Sequence, residues 1–162
     1  MKEEIIIRKI VADDDAIMAS IIRNSLEEFG AAKAGTVYFD ETTDHLHKLF
    51  QKDKSAYFVI EINDEVCGGG GIFPTDGLPG KTCELVKMYI SPVARGKGLG
   101  KVLLQKCMEV ARENGFNSMY LETMPELTHA IAMYKKNGFT SLPAQLGNSG
   151  HCGCDLFMLK EL

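Results

Sequence analysis

The chain has 162 residues, with 45% hydrophobic and 25% charged side chains and a formal net charge of -4. Those proportions match a globular chain and exclude wholesale disorder. The acidic balance argues against general nucleic-acid binding, which calls for a basic face, and no apolar run reaches the length of a membrane-spanning helix. One domain over residues 1–162 is expected. Acids at Glu3 and Glu4 precede the first apolar run, which does not read as a secretory signal. Five cysteines form an odd set without scaffold spacing, consistent with free thiols in a reducing cytoplasm. Cys152 and Cys154, beside His151, lack the paired spacing of a zinc site, so no metal ligand set is expected.

Ile5-Ile6-Ile7 predicts a buried first strand. Asp13 to Asp15 offer capping acids to a helix over about Asp14 to Phe29, with Ile17, Ile21, Ile22, Leu26 and Phe29 at helical spacing. Residues 31–42 read as loop. A second helix is predicted over Thr43 to about Gln51; His45 and His47 cannot share a face there and read as solvated. Tyr57 to Ile62 is a strand, Asn63-Asp64 a turn, and Val66 to Phe73 a strand interrupted by Gly68 to Gly71. Four glycines suggest a bulge, a close backbone approach by a ligand, or a flexible turn.

Pro74–Gly80 reads as loop and Cys83 to Ser91 as a strand stopped by Pro92. After Gly98 an amphipathic helix carries Leu99, Val102, Leu103, Cys107, Val110 and Ala111. A short strand over Ser118 to Thr123 follows. A helix with Leu127, Ala130, Ile131 and Tyr134 on one stripe ends at Gly138, and strands over Phe139 to Leu142 and Asp155 to Leu159 close the chain. The order β-α-α-β-β-β-α-β-α-β-β is an α/β fold with a mixed sheet.

Arg95-Gly96-Lys97-Gly98-Leu99-Gly100-Lys101 carries the most information. Glycines let the backbone turn its N–H groups toward one point, and the helix start adds free N–H groups and the positive end of the dipole. That is an anion site suited to a pyrophosphate, ringed by Arg95, Lys97 and Lys101. The spacing fits neither the Walker A nor the dinucleotide-binding glycine pattern.

This stretch, after a strand and Pro92, resembles the coenzyme A motif of the GCN5-related N-acetyltransferase (GNAT) family. Ala130 to Phe139 resembles that family's second motif, A-x-x-x-Y-x-K-x-G-F. The resemblance implies a single-domain, splayed mixed sheet flanked by helices and an acetyl-CoA-dependent N-acetyltransferase, with a homodimer as a further implication. Pyrophosphate would sit on the backbone of Gly96 to Lys101, including Gly98, Leu99 and Gly100, with Arg95 opening the loop. Pantetheine would pair with the backbone of Met88, Tyr89 and Ile90, and the N–H of Met88 or Tyr89 would serve the thioester oxyanion. The second motif often carries an Asn where this chain has Leu127, so Glu126 is a candidate replacement.

Acetylation of an amine needs a group to take its proton and one to protonate the departing thiolate. The resemblance places Tyr134 by the sulfur as the acid. Glu84, the lone carboxylate of its strand and eleven residues before Arg95, is the base candidate. The expected acceptor is the primary amine of a small molecule, amino acid or peptide. The alternatives are a protein N-terminus or lysine, and a non-catalytic acetyl-CoA sensor. The acceptor pocket is expected from residues 24–45 and 143–154.

Overall fold

The computed structural model describes residues 2–162. It carries strands β1 (Ile5–Lys9), β2 (Ala56–Ile62), β3 (Glu65–Phe73), β4 (Thr82–Ile90), β5 (Ser118–Thr123), β6 (Thr140–Leu142) and β7 (Leu156–Glu161). The helices are α1 (Asp15–Glu28), α2 (Leu46–Leu49), α3 (Leu99–Glu113) and α4 (Thr128–Lys136). The strands form one sheet in the order β1-β2-β3-β4-β5-β7-β6, parallel between β4 and β5 and antiparallel elsewhere. Among the described residues, no helix is long and apolar enough to cross a membrane.

Strand β2 is buried on both faces, and its alternation sorts the core in two. Tyr57 and Val59 face α1, where they join Met18, Ile22 and Leu26. Phe58 and Ile60 face α3, where they join Leu103, Leu104 and Cys107. Each fully buried side chain of this kind stabilises the fold by roughly 1.5–3 kcal/mol of transfer free energy.

Three expectations need correction. Strand β1 lies at the sheet edge rather than inside it, so Ile5 and Ile6 are 43% and 38% exposed. The helix predicted over 43–51 is split: a 3₁₀ turn over Glu41–Asp44, capped by Asp40 on the Thr42 N–H, is separated from α2 by His45 at φ -133°. On α3, Val102 is exposed and Leu104 and Met108 are buried, because the inward stripe is rotated from the one read in sequence.

The glycine run of β3 is explained by its neighbours. A Cβ on Gly71 would lie 2.3 Å from the Ala56 carbonyl oxygen, and one on Gly69 2.7 Å from the Tyr57 ring. The close approach comes from the chain's own strands and aromatic ring, so glycine here admits tight packing rather than a ligand. The β2–β3 hairpin turns at Asn63 (φ 49°) and Asp64 (φ 69°), the left-handed pair that a type I′ turn requires.

A bulge sits opposite the glycines. Gly71 pairs with Val86 and Gly69 with Tyr89, so β4 carries one extra residue. Lys87 adopts φ 51° there, and its carbonyl accepts a hydrogen bond from the buried Tyr57 hydroxyl at 2.7 Å.

Candidate active site

The parallel pairing of β4 and β5 stops early. Thr82, Cys83 and Glu84 pair with Ser118, Met119 and Tyr120, and the strands then diverge. Residues Met88 to Ile90 therefore meet β3 on one side and an open fork on the other. The fork is a cavity of about 700 Å³.

The loop between β4 and α3 forms one end of this cavity. After a 3₁₀ turn over Pro92–Ala94, Gly96 (φ 76°) and Gly98 (φ 75°) turn the backbone, and α3 starts at Leu99. Gly96, Gly98, Leu99, Gly100 and Lys101 line the cavity, presenting the free N–H groups of a helix start. Arg95 lines it too. Its guanidinium donates to the Ile90 carbonyl at 2.9 Å, pairs with Glu28 and lies 5.1 Å over the Phe29 ring, tying the loop to α1. Lys97 is outside the lining and pairs with Glu3 at 2.6 Å. Its long exposed side chain follows the nearest carboxylate rather than the loop's N–H groups. Gly100 needs no positive φ, and a Cβ there would meet the Met133 sulfur at 3.0 Å.

Helix α4 supplies Tyr134, which is buried, lines the cavity and packs edge-on to Phe139 with ring centroids 5.7 Å apart. Burial pushes its phenol pKa well above the ordinary value, so the hydroxyl keeps its proton across the working range. Leu127 caps α4 without a side-chain hydrogen bond. Glu126, proposed to replace the family's Asn, pairs with Lys33 at 2.8 Å and lies outside the cavity lining. One of its carboxylate oxygens is taken up by the lysine.

Glu84 is the last β4 residue paired with β5 and is only 3% exposed. One oxygen accepts a hydrogen bond from Thr75 Oγ1 at 2.6 Å. Burial pushes its carboxyl up to about 7, the Thr75 bond pulls it down, and the neighbouring Glu122 raises it further against His151 and Lys87.

Around Glu84 the structure gathers groups that sequence reasoning missed. Glu122 of β5 accepts hydrogen bonds from Tyr120, Gln145 and Ser149. His151 Nε2 donates to Asp40 Oδ2 at 2.9 Å, and this bond holds Asp40 well below the usual carboxylate range. Lys87 is buried beside Asp40 at 3.4 Å, and burial lowers its pKa despite that partner. One donor atom each from Glu84, Glu122 and His151 lie within 4.8 Å of one another. The loops before and after are clasped by the Gly153 N–H on the Gly35 carbonyl at 2.8 Å. Glu122 had a readable signal, a carboxylate near the C-terminal end of a strand parallel to its neighbour, where open α/β sheets bind ligands. Asp40 and His151 had none, since only the fold joins segments 111 residues apart.

The comparisons agree with this architecture. The model of the acetyltransferase (GNAT) family matches residues 20–139. The chain is 42% identical over 158 residues to the uncharacterized N-acetyltransferase YjgM of Escherichia coli (strain K12), covering 97% of this chain and 95% of that protein. An acetyltransferase of the GNAT family from Staphylococcus aureus superposes with a TM-score of 0.81 at 18% identity, covering 98% of this chain and 99% of that one. The structure of yncA, a putative acetyltransferase from Salmonella typhimurium with its cofactor acetyl-CoA, superposes with a TM-score of 0.74 at 25% identity over 98% and 94% of the chains. The glycine-turned helix start, the forked sheet and these likenesses together make the chain a member of the GNAT family, an N-acetyltransferase whose co-substrate is acetyl-CoA.

Proposed function

We propose that the chain transfers the acetyl group to the primary amine of a small molecule, amino acid or peptide, with Glu84 as the base and Tyr134 as the acid. The observation that carries this reading is that both side chains line the same cavity as the glycine-turned helix start. Acetyl-CoA supplies an activated acyl carbon. The ammonium of the acceptor gives a proton to Glu84, whose carboxyl at about 7 is matched to neutral pH. The free amine attacks the thioester carbonyl, an oxyanion forms against the N–H groups of Met88 or Tyr89, the C–S bond breaks, and Tyr134 protonates the thiolate; the proton that the nitrogen sheds as the neutral amide forms passes through water to restore the phenol.

The phosphate end is assigned to the backbone of Gly96 to Lys101, with Lys101 as the near cation and the pantetheine along Met88 to Ile90. Valine at Gly98 meets no neighbouring atom but must adopt φ 75°. Such strain is of order 1–3 kcal/mol, so Gly98→Val is expected to weaken acetyl-CoA binding about tenfold or more in calorimetry, with an unchanged circular dichroism spectrum. Unchanged affinity removes the loop assignment.

The clasp between residues 35 and 153 and the Asp40–His151 pair tie together the two segments expected to build the acceptor pocket, and this bonded closure supports a small amine over a folded protein substrate. The test is a panel of amines, amino acids and short peptides with acetyl-CoA, reading thiol release. Release with a small amine supports the reading. Acetyl-CoA binding without release for any acceptor, folded proteins included, identifies a sensor instead.

A further inference from the structure

We infer that Glu84, Glu122 and His151 form a binding site for a divalent ion of the zinc(II) class at the acceptor end of the cavity. The binding stands on geometry alone; its effect on turnover rests on the function proposed above. The three side chains come from β4, β5 and the loop before β7, and one donor atom from each lies within 4.8 Å of the other two. In tetrahedral zinc sites with ligand distances of about 2.0–2.2 Å, donors stand roughly 3.3–3.6 Å apart. Small side-chain rotations close that difference.

The surroundings are those of a ligand set. A metal-binding imidazole characteristically donates its other nitrogen's hydrogen to a carboxylate, which fixes the ring. His151 does this with Nε2 on Asp40 at 2.9 Å, which leaves Nδ1 for the ion. Glu84 is almost fully buried and accepts Thr75 on one oxygen, which leaves its second oxygen for the ion. Glu122 is oriented by Tyr120, Gln145 and Ser149. Two carboxylates outweigh the one nearby cation, Lys87, whose charge is turned toward Asp40 and weakened by burial. One nitrogen and two oxygens suit a borderline ion better than magnesium, which takes oxygen alone, or copper(I), which takes sulfur. Three protein ligands leave a fourth position toward the cavity, open to water or to an amine. An ion there occupies the oxygen of Glu84 that would accept the acceptor's proton, so zinc removes the base and stops transfer.

The experiment uses the full chain carrying Cys152→Ser and Cys154→Ser, which removes the two accessible thiols as competing ligands. The protein is stripped with a chelator and equilibrated with zinc chloride, and bound metal is measured by mass spectrometry. About one zinc per chain at saturation is expected. Glu122→Gln and His151→Asn should each weaken binding at least tenfold with folding unchanged by circular dichroism, and Asp40→Asn about tenfold through the imidazole it orients. Binding that is unsaturable, or indifferent to both Glu122→Gln and His151→Asn, overturns the site. Zinc bound by a protein that acetylates no acceptor leaves the site standing and overturns the acetyl transfer reading alone.

Discussion

Tyr134→Phe is expected to lower kcat by at least about tenfold while acetyl-CoA binding and folding barely change. The substitution keeps the ring, its edge-on contact with Phe139 and its burial, and removes only the hydroxyl. General acid contributions are typically about 10²–10⁴-fold, and water entering the cavity recovers part of that loss. The raised pKa of the phenol means that the acid form persists through the alkaline limb, so the loss should be constant with pH between 6 and 9. Wild-type turnover by Tyr134→Phe, with chemistry rate-limiting, would make Tyr134 a core aromatic and nothing more.

Glu84→Gln is expected to act in opposite directions on rate and stability. In the wild type, kcat/KM should fall below pH 7 as the carboxyl, pushed up to about 7, becomes protonated and can no longer take a proton. The amide has no such titration, so the variant should lose about a hundredfold at pH 8 and the acidic limb with it. Stability follows the sign of the shift. Glu84 is protonated in both folded and unfolded chains below its unfolded value of 4.5, and its burial then carries no charge. As the pH rises toward about 7 the unfolded chain releases the proton first, and the native state loses stability on the order of 3 kcal/mol by pH 8. Urea unfolding should therefore show Glu84→Gln more stable than wild type at pH 8 and indistinguishable from it at pH 4. Equal destabilisation at both values would show a packing defect instead of a removed buried charge.

Local sequence carried most of the element order, because β2 has the composition of a strand and α3 and α4 each have a helical periodicity. The glycine-turned end of the cavity, which we propose holds the phosphates, was legible because Arg95 to Lys101 is one continuous segment whose glycines bend the backbone where they stand. What escaped was decided by neighbours. Ile5 and Ile6 read as interior because apolar runs do not reveal whether a strand has one partner or two. His45 interrupts a helix through a backbone angle that its residue type does not announce. The other end, proposed for the acceptor, was legible only as two segments expected to meet there. Which of their side chains converge depends on β5, on the loop holding Asp40 and on the loop holding His151, and no local pattern couples Glu122, Asp40 and His151.

The glycine-filled strand β3 also bears on how the chain reaches this structure. Across Gly68 to Gly71 the strand has no side chains and so no inside-outside alternation with which to choose its pairing, and slipped registers of that stretch are separated by little energy. The register of β3 against β2 then leans on the tight turn at Asn63 and Asp64 and on the flanking Val66, Cys67, Ile72 and Phe73, with a bulge at Ile60 and Glu61 between the turn and the glycines. The hairpin is therefore expected early on the folding route, as the template onto which β4 adds with its bulge. Replacing both turn residues by alanine, which resists positive φ, should lower the folding limb of the chevron and leave the unfolding limb nearly unmoved. An unfolding limb that takes up most of the change would place the turn late, and some other contact would have to set the register.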